Sequence, residues 1–407
     1  MKRKIALFAL IICVLIFAAY TIPTAKNRYR GYQKAIDIAH IRSVPGKQDA
    51  RLLDIKIPLS NSTTFDYNKN LKDLHFVKLE TSARSKIGSI DKILLTDSRI
   101  IIVDFNASKG VYIFDSSGRF INKILANKDP KDNTAVVSDF YDVAYDYTAD
   151  EIILHDQTEY QSSYFDRDGH FRKASKEYVY FANLVNLKNT DKYVYINSFG
   201  GNDHIPVLTE SALYFGKRNT EILYTATDAV KNMKTGINYQ INNNSSFNNS
   251  NNKVFYTPEF SDTVYQIAAA PLNVYPKLVI HYPGADINSI IKKENKEGID
   301  EYINLENQNK YYSFKGEIFS NDDSIYYIAT YKDGLSGYFY SEKTNKIIGG
   351  DLVSTVLPKD SAQIKEYRYP ITTFNDYFVS ALPASDFGHT AKPTDNPVLA
   401  FYKLKNF

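Results

Sequence analysis

The sequence predicts an all-β fold: a six-bladed β-propeller of four-stranded antiparallel blades, with an N-terminal hydrophobic helix and a short helical insertion. Three observations lead there. The aromatic residues are 33 Tyr and 24 Phe among 407 residues, with no Trp, and both types favour the pleated, half-buried surface of a strand. Short apolar runs recur from residue 53 to the C-terminus, separated by Asp, Asn, Gly and Ser turn signals. A unit of about fifty residues also repeats, and self-similarity at that period marks a repeat architecture.

The N-terminal element comes first. Lys2, Arg3 and Lys4 precede an apolar run over residues 5–19, and Lys26, Arg28 and Arg30 follow it. A charged n-region before about fifteen apolar residues reads as a secretory signal, and extended to Pro23 the run approaches the shorter limit for a membrane span. Residues 1–25 are therefore expected to be a signal peptide or transmembrane anchor. Both put the rest of the chain in the cell envelope, periplasm-facing, and either membrane-anchored or secreted. Cys13 is the single cysteine. It sits in a poor lipobox, with Ile12 where a small residue is expected and apolar residues continuing behind it. Residues 26–52 read as a polar stalk, closed by one short apolar strand near residues 52–57.

The propeller is expected over residues 53–407. Its first two units align without a gap at an offset of 51 positions. Arg99-Ile-Ile-Ile-Val-Asp104 and Val111-Tyr-Ile-Phe-Asp115-Ser-Ser-Gly118-Arg-Phe120 correspond to Asp150-Glu-Ile-Ile-Leu-His155 and Ser162-Ser-Tyr-Phe-Asp166-Arg-Asp-Gly169-His-Phe171. Each has an apolar strand, a loop, a second strand, an Asp-x-x-Gly hairpin turn and a third strand. With the strand before it, at residues 90–95 in the first unit, this makes a four-stranded blade. Four diverged units follow, over residues 181–227, 238–281, 311–348 and 369–407. Two stretches interrupt them. Residues 241–252 are rich in Asn and Ser and read as a long surface loop. Residues 285–307 space Ile287, Ile290, Ile291, Ile299, Tyr302, Ile303 and Leu305 as one or two short amphipathic helices.

The segment Phe76-Val-Lys-Leu-Glu80-Thr81, with Ile87-Gly88, Ile101-Ile-Val-Asp104 and Ile113-Phe-Asp115-Ser-Ser-Gly118, resembles the opening blade of a six-bladed β-propeller family (TolB-like or NHL-like) of bacterial envelope proteins. Asp262-Thr-Val-Tyr265-Gln-Ile267 resembles a mid-chain strand of that family, and Asn396-Pro397-Val-Leu-Ala-Phe-Tyr-Lys-Leu404 its closing strand. The resemblance implies a fold and an envelope location. It brings no catalytic residues.

Bulk charge is nearly balanced, Lys+Arg 49 against Asp+Glu 46, which gives no electrostatic basis for nucleic acid. Asp166-Arg-Asp168-Gly169 is not a calcium loop, because Phe171 stands where the sharp turn needs Gly. The seven histidines, His40, His75, His155, His170, His204, His281 and His389, show no ligand spacing. No G-x-S-x-G elbow, G-x-G-x-x-G or P-loop is present. No cofactor or metal is expected.

One pair of carboxylates stands out. Asp91 and Asp142 match under the repeat, and each begins an innermost strand, the strand that lines the central channel. They are the candidate ligand-binding residues at the channel mouth; the alternative is that each holds a turn between blades by accepting backbone N–H groups. The tyrosines either line a sugar-stacking funnel or fill the layers between blades. The functional expectation is a monomeric binding module for a glycan, a peptide or an envelope protein, attached to the membrane through its N-terminal segment. The alternative is a hydrolase or lyase with a metal or carboxylate site in the channel, assembled from several blades.

Overall fold

The computed structural model describes residues 31–44, 51–58, 70–126, 137, 139–156, 159–197, 202–208, 211–217, 221–228, 246–250, 253–258, 261–281, 313–331, 335–351, 369–387 and 392–407. Among these, the only α-helix is a single turn at Tyr32–Ala35. Apart from three short 3-10 turns, the rest of the regular structure described is six sheets, each built on four antiparallel strands. The hydrophobic run at residues 5–19 and the helical insertion at 285–307 lie outside the described residues.

Blade one is β4 (Lys92–Leu95), β5 (Arg99–Asp104), β6 (Gly110–Asp115) and β7 (Phe120–Leu125). Blade two is β8 (Asp142–Asp146), β9 (Glu151–Asp156), β10 (Gln161–Asp166) and β11 (Phe171–Lys176). Blade three is β12 (Phe181–Asn186), β13 (Tyr193–Asn197), β14 (Ser211–Gly216) and β15 (Ile222–Asp228). Blade four is β16 (Ser246–Ser250), β17 (Lys253–Thr257), β18 (Thr263–Ala269) and β19 (Leu272–His281). Blade five is β20 (Ser313–Ser320), β21 (Ile325–Tyr331), β22 (Leu335–Ser341) and β23 (Lys346–Asp351). Blade six takes β24 (Thr372–Phe374), β25 (Tyr377–Leu382) and β26 (Val398–Leu404) from the C-terminus, and its outermost strand, β3 (Leu71–Lys78), from upstream of blade one. The two ends of the propeller sequence therefore share one sheet, which closes the ring.

The core is divided rather than central. Six apolar clusters are present, each sandwiched between neighbouring blades. Strand β5 shows why. Side chains alternate across a strand, so Ile101 and Val103 enter the layer against blade two while Ile100 and Ile102 enter the layer against blade six. Both faces are buried, and the run Ile-Ile-Ile-Val follows without polar alternation. The tyrosines mostly serve these layers: Tyr193, Tyr214, Tyr326, Tyr327, Tyr338 and Tyr402 are fully buried.

The Asp-x-x-Gly turns form as read. Asp115 Oδ1 accepts the N–H groups of Ser117 and Arg119, each at 3.0 Å, and Gly118 sits at φ +88°. Asp166 Oδ1 accepts those of Asp168 (3.0 Å) and His170 (2.9 Å), and Gly169 sits at φ +83°. The two turns differ in what they touch. A Cβ on Gly118 would stand 2.2 Å from the carbonyl oxygen of Lys78, on the closing strand β3, whereas one on Gly169 would meet side-chain atoms alone, the Ile113 Cδ1 methyl at 2.6 Å nearest and Asn122 Nδ2 at 3.3 Å next. Both alanine variants pay for a left-handed backbone, about 1–2 kcal/mol, but only Gly118→Ala must also move a backbone, for a further 1–3 kcal/mol or so. Urea unfolding of the two variants is expected to place Gly118→Ala clearly below Gly169→Ala; equal midpoints would refute the account.

Two expectations need correcting. The described part of the polar stalk is not free: residues 31–44 lie on blade three, where Ile36 is buried and Tyr32, Ala35, Ile38 and Ile41 pack against the layer between blades two and three. Strand β1 (Arg42–Ser43) pairs in parallel with β15, and β2 (Leu53–Lys56) pairs in parallel with β19, so the segment adds a fifth strand to blades three and four. Its apolar residues are sparse and its first strand has two residues, too short to register as a strand signal. The Asn/Ser-rich stretch is not wholly a loop either. Residues Ser246–Ser250 form β16, the innermost strand of blade four, in register with β17. Ladder pairing there overrides poor strand propensity.

Candidate functional site

The innermost strands β4, β8, β12, β20 and β24, with the turns at their ends, enclose a cavity of about 720 Å³ along the propeller axis. Blades one, two, three, five and six contribute lining residues. Open strand edges converge there because every blade begins at the axis.

Asp91 and Asp142 both line this cavity, but the repeat that pairs them in sequence gives them different work. Asp91 is exposed. Its Oδ2 accepts the Phe105 N–H (2.6 Å) and the Ser89 hydroxyl (3.0 Å), and its Oδ1 accepts the Asn106 amide (3.0 Å). It holds the turn beside β5. Asp142 is 1% exposed. Its Oδ1 accepts from Lys92 Nζ at 2.8 Å and its Oδ2 from the Leu184 N–H at 2.7 Å, so one carboxylate ties blades one, two and three together. A second such tie lies nearby, where Lys109 Nζ donates to the nearly buried Asp139 at 3.2 and 3.3 Å.

Residues not singled out from the sequence complete the wall. Tyr141 is 49% exposed and lines the cavity. Asn183 on β12, Glu317 on β20 and Thr372 and Thr373 on β24 line it as well. The Thr373 hydroxyl is buried without a hydrogen-bond partner among the described residues. Burial raises the pKa of Glu317, which favours its neutral form. Burial also raises that of Tyr147, to about 12. Each blade supplies only one or two of these side chains, so no local motif announces them.

The histidines are spread through the fold. His170 contacts Asp166, His281 contacts Asp54 and His204 contacts the Tyr178 carbonyl. Among the described residues no group of three His, Cys, Asp or Glu is arranged to hold a metal ion. His155 is buried against Phe181, ring centroids 3.8 Å apart, and neither ring nitrogen has a hydrogen-bond partner among the described residues.

Two buried groups between blades two and three make stability depend on pH in opposite senses. Burial alone lowers the His155 pKa to about 3. The unfolded chain then takes up a proton below about 6.5 that the folded chain refuses, so stability is lost as pH falls from 6.5 towards 3. Burial pushes Glu177 up to about 7, against a smaller lowering by a hydrogen bond from Ser162. Its contribution is fully present below about 4.5 and is lost as pH rises through 7. The two oppose each other between about 4.5 and 6.5. Glu177→Gln is therefore expected to melt higher than the unsubstituted protein at pH 8, by the equivalent of about 1–3 kcal/mol, with the difference gone by about pH 4.5. Thermal melts across this range check it; a difference independent of pH would remove Glu177 as the cause.

A ring of six blades around a central cavity defines the class: a six-bladed β-propeller. The chain belongs to the family described as a domain of unknown function, DUF4934, which matches residues 51–403. No curated protein matches the chain. Among solved structures, it is similar to a candidate exported protein of Bacteroides fragilis at 15% identity, with TM-score 0.61, covering 88% of this chain and 100% of the other. It is also similar to a DUF4221 family member from Bacteroides vulgatus at 10% identity, with TM-score 0.44, covering 83% of this chain and 98% of the other.

Proposed function

We propose that the protein is an exported, envelope-located binding module whose ligand sits in the channel cavity. The observation that carries this reading is the division of labour in the cavity wall. Asp91, Asp139 and Asp142 hold turns and neighbouring blades, while Tyr141, Asn183, Glu317 and Thr373 face the same space without side-chain hydrogen bonds to the described residues. A volume of about 720 Å³ lies within the usual range for small-molecule sites. The charged run at residues 2–4 and the apolar run at 5–19 support export, and a fold shared with a candidate exported protein agrees with it. The likeness to TolB-like and NHL-like propellers rests on the motifs at residues 76–120 and 396–404.

A carboxylate-based hydrolase or lyase is less well supported, because paired acid–base chemistry needs two available carboxyl groups. Three of the four acids named in the wall are committed to structural bonds. The test is a thermal-shift survey of the full chain with sugars, peptides and small ions, repeated on Asn183→Trp, whose indole obstructs the part of the cavity that Asn183 lines. A ligand whose shift disappears in that variant supports the channel as its site. A shift that persists unchanged places the ligand elsewhere and overturns the reading.

A further inference from the structure

Resting on the channel as a binding site, we propose that its ligand is a neutral oligosaccharide, with a sugar ring stacked on Tyr141 and hydroxyl groups held by Asn183 and Glu317. The inference follows from sorting the wall by what remains available. Lys92 and Lys109 are the lysines of the lining, and each is engaged by a buried or nearly buried aspartate, Asp142 at 2.8 Å and Asp139 at 3.2 Å. Drawing either lysine towards an anionic ligand would strand a buried carboxylate without its partner, which costs several kcal/mol. Phosphorylated and other anionic ligands are disfavoured on that ground.

A cationic ligand is poorly served too. Asp91 already accepts three hydrogen bonds, and burial favours the neutral form of Glu317. What remains is one half-exposed aromatic ring sharing the wall with a primary amide and a partly buried carboxyl group, groups that hydrogen-bond to hydroxyls. That combination suits a ligand with an apolar ring face and a rim of hydroxyls. Phe105, Tyr147 and Tyr369 line the same cavity, and its volume of about 720 Å³ leaves room for more than one sugar ring.

The test is calorimetric titration of the full chain, held in a detergent without a sugar headgroup, with neutral tetrasaccharides: β-1,4- and α-1,4-glucan, β-1,4-mannan, β-1,4-xylan and N-acetylglucosamine fragments. At least one is expected to bind. Tyr141→Ala should weaken it about tenfold and Tyr141→Phe only slightly, because stacking needs the ring and not the hydroxyl. Asn183→Ala should also weaken it several-fold. Tyr141 is half-exposed, and circular dichroism and melting of its variants check that the fold is kept. Absence of binding by every neutral sugar at about 10 mM, where even a millimolar Kd is visible, overturns the inference. Binding only of peptides or anionic sugars, abolished by Asn183→Trp, overturns the ligand class and leaves the channel reading standing. Sugar binding indifferent to Tyr141, Asn183 and the tryptophan overturns both.

Discussion

Replacing Asp104 by Ala is expected to lower the stability of the propeller by about 3–5 kcal/mol, the range for breaking a buried charged network. Asp104 is fully buried at the end of β5. Its carboxylate accepts N–H groups from Gly88 (3.1 Å), Ser89 (2.9 Å), Asn106 (3.2 Å), Ala107 (2.7 Å) and Ser108 (3.1 Å). It also accepts the hydroxyls of Ser89 (2.8 Å) and Ser108 (2.7 Å). Two loops of blade one are thus organised around one side chain. Burial by itself raises the pKa of such a group; here the bonds from Ser108, Ser89 and Ala107 outweigh it and hold the carboxyl down at about 2. A lowered folded value contributes stability above about 3.8 that is lost as pH falls through 2. Denaturant unfolding should show the full deficit of Asp104→Ala at pH 7 and a narrower gap at pH 2.5. Asp115→Ala serves as the comparison: its carboxylate binds a similar turn at the rim, and a turn contact of that kind is worth nearer 1 kcal/mol. Equal losses in the two variants would sink the argument from burial.

Asn396→Leu is expected to cost a comparable 3–5 kcal/mol or so by unsealing the ring. Asn396 is 1% exposed, on the chain entering β26. Its Nδ2 donates to the carbonyls of Glu80 (2.7 Å) and Ser85 (2.8 Å), and its Oδ1 accepts the Ile87 N–H at 2.9 Å. Its own N–H donates to the Thr81 hydroxyl at 2.7 Å. These bonds join blade six to the chain leading into blade one, across more than 300 residues of sequence. Leucine matches the volume but leaves one donor and two acceptors without their partner, at about 1–3 kcal/mol for each buried group left unmade. Asn396→Asp separates the parts: it can still accept from Ile87 but repels both carbonyls. It should also be destabilised, and less so at acidic pH, where the protonated acid can donate. Melting temperatures of the two variants at pH 7 and pH 4 decide this; an aspartate variant that is no less stable would refute the closure role.

The legible parts of this protein were those written locally. The hairpin turns were readable because Asp and Gly at fixed spacing satisfy turn geometry wherever they occur, and Asp115 and Asp166 behave as that chemistry requires. The blade count was readable because period-2 burial on both faces leaves apolar runs, as in β5 and β9. What failed locally failed for tertiary reasons. The Asn-rich strand β16 pairs only because β17 stands beside it, and β1 exists only as an edge on β15, about 180 residues further along the chain. Asp91 and Asp142 were found by the repeat and do line the channel, but their difference comes from Lys92 and Leu184, which blades one and three bring to Asp142 alone.

The sequence by itself determined the architecture: all-β, repeated, six blades, with turns in their proper places. It could do so because strand period and turn chemistry act within a few residues. Only the tertiary structure decided that residues 71–78 close blade six, that the presumed stalk straps the outer rims of blades three and four, and that Tyr141, Asn183, Glu317 and Thr373 meet in one cavity. Those residues come from four blades and span more than 230 positions. A ring assembles its centre from single contributions by distant segments, and nothing in their neighbours along the chain records that they will meet.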